Sequence, residues 1–186
     1  ALAATSREGA TRQDVRADLI QLLMARPRPE LRRAMESLSA LASGAKHADS
    51  RAAGYAAMVV SRGAEEGWAF AARTDGVTHL LEGVRVIREP TTRAQLTGQI
   101  NSLLAPETAP PLRRAAILAL SSLSGVDDTV FATLASLLRD RDDVDTAITA
   151  LARVPSAFWP RDRIAAVAAD VTAHVANVGP EDRGRP

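Results

Sequence analysis

The chain has no cysteine. These residues therefore hold no disulfide, no thiolate zinc site, no cysteine nucleophile and no c-type haem attachment. Aromatics are also scarce, at 3%. The core must be built from small and branched aliphatics, which favours close helix–helix approach over a bulky centre. Lysine is nearly absent: Lys46 stands alone against an arginine-rich remainder. That bias fits either guanidinium chemistry at an interface or a GC-rich coding sequence, and the spread of the arginines through the chain favours the second. Neither charge sign dominates, with 23 Lys and Arg against 22 Asp and Glu and a net charge of +1. A duplex-binding protein shows a basic excess on one face, so this balance argues against nucleic acid as the partner. No apolar run approaches the roughly 18 residues that span a bilayer, so no membrane insertion is expected. A secretory signal, GxGxxG, a P-loop and GxSxG are all missing.

What is present is a globular balance, with 46% hydrophobic and 24% charged residues. The apolar residues recur at helical spacing. Residues 1–10 read as a polar lead-in. Thr11 and Asp14 resemble a helix cap, and Val15, Leu19, Leu22 and Leu23 follow on one helical face. Pro29 opens a second helix carrying Leu31, Met35, Leu38 and Leu41 and ending at Gly44. Asp49 or Ser50 opens a third, with Ala52, Tyr55, Ala56, Val59 and Val60 on its stripe and Gly63 at its end. A short helix around Trp68 follows, then a turn at Asp75-Gly76 and a helix interrupted by Gly83. Pro90 restarts the chain toward Leu96, Ile100, Leu103 and Leu104.

The clearest stripe is Leu112, Ala115, Ala116, Ala119, Leu120 and Leu123. Ile117 and Leu118 add apolar surface, so this helix is expected to be contacted on more than one side. Asp127 and Asp128 suit a helix N-terminus and Arg139 a C-terminus. Asp142 or Asp143 starts the next helix, PSAFWP (Pro155 to Pro160) is a rigid turn, and a final helix runs from Ile164 to near Gly179. This amounts to about ten short helices joined by turns of ordinary length. VRVI (Val84 to Ile87) has strand propensity, but its neighbours argue for helix.

PELRRAMESLSALASG (Pro29 to Gly44) and PPLRRAAILALSSLSG (Pro110 to Gly125) share one pattern, displaced by two periods of roughly 40 residues. A lone helical hairpin cannot bury its apolar face, whereas stacked hairpins bury a continuous core. At these residues, and at LLRD (Leu137 to Asp140), the chain resembles HEAT or armadillo-like repeat proteins. The resemblance implies an all-α, HEAT-like α-solenoid of short antiparallel helices. It also implies an Asp–Arg ladder, in which Asp140 matches the Asp, and Arg33 and Arg113 or Arg114 match the Arg. Asp145 stands where the third Arg belongs, so the ladder departs there.

A second likeness runs from SRAAGYAAMVVSRGAEEGWAFAA (Ser50 to Ala72) through REPTTRAQL to PSAFWPRDRIAAVAADVTAHVANVGPEDR (Pro155 to Arg183). It is similar to the helical region of large planctomycete-type multidomain proteins, which join such a module to c-type cytochrome, ThuA-like or cupredoxin-like domains. That likeness implies an exported, periplasmic or extracytoplasmic protein in which this segment is a spacer.

Candidate chemistry is thin. His47, His79 and His174 show no metal spacing. Glu65-Glu66 and Asp127-Asp128 are adjacent acids that point in different directions on a helix and form no dyad. Asp140 to Asp143 lacks the Gly and distal Glu of a calcium loop. Five residues remain as candidate partner contacts. Arg33, Arg113 and Arg114 suit an acidic partner on a concave face, or else solvated and ladder roles. Trp159 is either a binding anchor or a packing plug. His174 lies on the last helical stripe, either as a pH-sensitive contact to a following domain or as an edge residue bonded to a carbonyl or water.

The expectation is one HEAT-like domain over 11–179, with a loose tail or linker over 180–186. It would act as a non-catalytic scaffold or interaction module, with no cofactor in this segment. Its partners would be neighbouring domains of the same chain or another protein. The alternatives are a HEAT-like nucleic-acid binder using Arg on its concave face, and a bilin-lyase-like HEAT enzyme.

Overall fold

A computed structural model describes residues 15–123, 125 and 129–177. The lead-in 1–10, the Thr11–Asp14 cap, the Asp127-Asp128 helix start and the tail 180–186 lie outside the described residues. The described residues form helices and turns alone, so the fold is all-α. The chain divides into two compact units, residues 1–100 and 101–186.

The first unit is organised around one helix. α1 covers residues 15–24. α2 (Arg28–Arg33), α3 (Met35–Gly44), α4 (Ala48–Arg62), α5 (Ala64–Arg73), α6 (Val77–Gly83) and α7 (Pro90–Ala94) follow. α2, α3, α5 and α6 all pack against α4. Its stretch Ala52–Ser61 is buried without a break. Small residues make this possible. An added Cβ on Gly54 would lie 2.6 Å from the backbone N of Ala42, and one on Gly67 2.5 Å from Val59 Cγ2. Backbones therefore meet at van der Waals distance where the sequence offers Ala and Gly, as the shortage of aromatics implied. Tyr55 is the large exception. It is buried, lies 5.8 Å from the Phe70 ring, and its hydroxyl shares a hydrogen bond with Thr74 Oγ1 at 2.8 Å.

Several boundaries fall where local chemistry put them. Gly63 takes φ 103° and ends α4, a conformation a Cβ resists. Pro90 and Pro110 each open a helix, where a missing N–H removes no intrahelical bond. VRVI becomes a 3₁₀ turn over Val84–Val86, with Ile87 extended. Other boundaries differ. The helix expected from Pro29 to Gly44 breaks at Ala34, whose N–H is shared between the carbonyls of Glu30 and Leu31. The helix expected after Pro90 ends at Ala94 and restarts as α8 (Thr97–Ser102), leaving Leu103 and Leu104 in a turn.

α1 also corrects the sequence reading. Its expected inward stripe faces out: Val15, Leu19 and Leu22 are 53%, 60% and 59% exposed. Of that stripe Leu23 alone is half-buried, and outside it Met24 is buried and Ile20 half-buried. Both sides of this helix are apolar, so its pattern does not choose the buried one.

The second unit holds α9 (Pro110–Leu120), α10 (Val130–Arg139), α11 (Val144–Arg153) and α12 (Ile164–Asn177). α9 and α10 both pack on α11, and α12 packs on α10. Ile117 and Leu120 of α9 and Leu134 of α10 are fully enclosed, while Leu118 is half-buried. Leu112 and Val171 are half-buried. Along α12 only Val167 is buried, while Ile164 and Val175 stand exposed.

Candidate functional site

Arg113 begins as one of a pair. Arg113 and Arg114 sit side by side on the first turns of α9, so the helix sends them in different directions. Arg114 is exposed and, among the described residues, bonds only the carbonyl of Pro110 on its own helix, at 3.3 Å. Arg113 turns inward, and its side chain is 9% exposed. Its Nε donates to the Leu104 carbonyl at 2.8 Å. Nη1 donates to Asp142 Oδ1 at 2.6 Å and to Asp143 Oδ2 at 2.9 Å, while Nη2 pairs with Asp142 Oδ2. The guanidinium fork thus grips the α10–α11 turn and the loop before α9 together. The hydrogen bond from Arg113 holds the Asp142 carboxyl below the usual carboxylate range, and the bond to Asp142 raises Arg113 in turn.

That turn carries two residues in the left-handed region, Arg141 at φ 58° and Asp143 at φ 46°. Neither is glycine, so the conformation is held against a local preference. The Arg113 clamp fixes it. Arg113 thus pairs with Asp142 and Asp143 and not with Asp140. Asp140, which the sequence matched to the ladder, meets Ser136 on its own helix at 3.4 Å.

Beside the clamp lies a groove of about 360 Å³ between the turn and α12. It is lined by Leu138 and Arg139 from the end of α10, Arg141 from the turn, Val144 from the start of α11, and Asp170 and His174 from α12. The guanidiniums of Arg139 and Arg141 have no hydrogen-bond or ion-pair partner among the described residues, nor has Asp170. His174 Nε2 lies 2.9 Å from Asp145 Oδ1 at the start of α11.

The other expected contacts are scattered. Arg33 is exposed on α2, and it is its neighbour Arg32 that turns in to bond the Ser61 carbonyl at 2.8 Å. Trp159 packs on Phe131 at 5.4 Å and donates its indole N–H to the Val154 carbonyl at 3.0 Å, closing the turn before α12. Only His174 of the five lines the groove. Its companions Arg139, Arg141 and Asp170 were missed because nothing in their local sequence separates them from solvated charges.

In the first unit, Arg51 Nε donates to His79 Nε2 at 2.8 Å. Arginine has no acceptor atom, so the neutral His79 ring carries its proton on Nδ1, 3.2 Å from Glu82 Oε2. Arg51 also donates to the Ala45 carbonyl at 2.7 Å and so ties the end of α3 to α6. Among the described residues no group of three or more His, Asp or Glu side chains is placed to hold a metal ion, and no helix is long and apolar enough to cross a membrane. Comparison with protein-family models, curated proteins and solved structures finds no match.

Proposed function

We propose that the chain is a non-catalytic helical module, HEAT-like in its packing logic, that holds neighbouring domains in place within a larger exported bacterial protein. One observation carries the reading. α1 is apolar on both sides, and Val15, Leu19 and Leu22 stay exposed after the first unit has formed its core. A helix in the interior of a stack is covered on more than one side, and a stack leaves such faces open when its next layer is removed. In this reading the uncovered face of α1 receives the adjacent domain of the same polypeptide. The module's action is geometric: it sets the spacing of its neighbours and performs no bond chemistry. The similarity of residues 50–183 to the helical region of planctomycete-type proteins supplies candidate neighbours, namely c-type cytochrome, ThuA-like or cupredoxin-like domains.

Two measurements test this. The coding sequence flanking residues 1–186 should encode a CxxCH or copper-site motif, and flanks that encode no further domain on either side overturn the multidomain reading. Hydrogen exchange should slow over residues 15–24 in the intact gene product relative to residues 1–186 alone. Equal exchange rates in the two overturn the docking role of α1.

A further inference from the structure

We propose that the groove between the α10–α11 turn and α12 binds an acidic peptide segment of a partner protein, with Arg139 and Arg141 as its carboxylate receptors. The inference rests on the reading of the chain as an interaction module and names a second contact that such a module makes.

Three features of the groove carry it. First, its two guanidiniums have no partner among the described residues and stand in a concave site of about 360 Å³, where a planar fork can take a carboxylate bidentately. Second, Arg139 ends a helix and the turn that presents Arg141 is preorganised. Arg141 is held at φ 58° although it has a Cβ, and the buried Arg113 locks the two following residues, Asp142 and Asp143. A ligand meeting a fixed turn loses less conformational freedom on binding. Third, the opposite wall selects among anions. Asp170 on α12 is a carboxylate with no partner among the described residues. A peptide supplies a side-chain carboxylate to the arginines and backbone N–H donors to Asp170, and its methylenes lie over Leu138 and Val144. A phosphate carries more negative charge than a single carboxylate and is repelled more strongly by Asp170. A nucleic-acid backbone has the same defect, and the chain has almost no net charge to offset it.

Left-handed Arg141 also gives a test that separates binding from folding. Glycine is the residue its backbone prefers, so Arg141→Gly removes the guanidinium without disturbing the turn. The assay is fluorescence anisotropy of a fluorescein-labelled peptide alternating glutamate and leucine, titrated with the full chain. Arg141→Gly and Arg139→Ala should each weaken binding about tenfold, the loss of one charge-assisted hydrogen bond. Arg153→Ala, at the far end of α11, should leave it unchanged. The urea midpoint of Arg141→Gly should equal or exceed that of the parent chain.

Several results would overturn the proposal: no peptide binding by the parent chain, equal binding by all variants, or competition by inorganic phosphate at concentrations equal to the peptide's. Tighter binding of a single-stranded oligonucleotide with the same arginine dependence would transfer the groove to nucleic acid. A negative peptide result alongside slowed exchange over residues 15–24 in the intact product removes this inference and leaves the scaffold reading standing.

Discussion

Replacing Arg113 by methionine tests the central structural claim about the second unit. Methionine keeps most of the apolar stem and removes the charged fork. Removing one partner of a buried ion pair costs about 3–5 kcal/mol, because the other charge stays buried. Here the stranded acids are partly wet: Asp142 is 40% and Asp143 20% exposed. Hydration recovers part of the loss. The Leu104 carbonyl loses a donor as well, worth about 1 kcal/mol. The expected destabilisation is about 2–4 kcal/mol. With a urea dependence of about 1–2 kcal/mol per molar, the midpoint should fall by about 1–4 M. Arg114→Met is the control, and as an exposed substitution should change stability by less than about 0.5 kcal/mol.

The same clamp sets a pH dependence. Asp142 has its folded value lowered by Arg113, so the unfolded chain binds more protons in the window between the two values. This contribution is complete above the ordinary carboxylate value of about 4 and is lost as pH falls through the lower folded value. The gap between the parent chain and Arg113→Met should therefore be constant from neutral pH down to about 5 and narrow in stronger acid. The assay is urea unfolding followed by far-ultraviolet circular dichroism across that range. Equal midpoints for Arg113→Met and Arg114→Met, or a gap that acid does not narrow, would refute the clamp.

Leu120→Asp should lose about 4 kcal/mol or more and unfold the second unit, because Leu120 is fully enclosed and the new carboxylate has no partner. Thermal melting unchanged from the parent chain would refute its place in the core. Gly67→Ala should cost about 1–3 kcal/mol by forcing α5 away from Val59, read as a lower urea midpoint. A neutral or stabilising result would show that the two helices are not in backbone contact. Leu19→Lys and Leu22→Lys should each shift stability by less than about 0.5 kcal/mol, since both side chains are exposed. A loss above about 2 kcal/mol would restore the inward stripe that the periodicity of α1 implied.

The sequence by itself determined the class of structure and many of its breaks. Helical spacing of small aliphatics, proline at the opening of α7 and α9, and glycine at the end of α4 are local signals, and each acts over a few bonds. Their physical cause needs no neighbour. Proline lacks an N–H wherever the chain goes, and glycine reaches positive φ in any surroundings. Even the close approach of α4 to its neighbours was legible in the shortage of aromatics.

Tertiary structure decided everything that depends on what lies opposite. α1 offers two apolar sides, and only packing shows which is covered. Arg113 and Arg114 are adjacent and chemically identical, and only the arrival of Asp142 and Asp143 makes one a buried clamp and leaves the other in water. The groove gathers Arg139 and Arg141 with Asp170 and His174 across a long gap in sequence. Periodicity states which residues of a helix share a side, but the free energy of a charge is fixed by its surroundings in space, and those come from other parts of the chain.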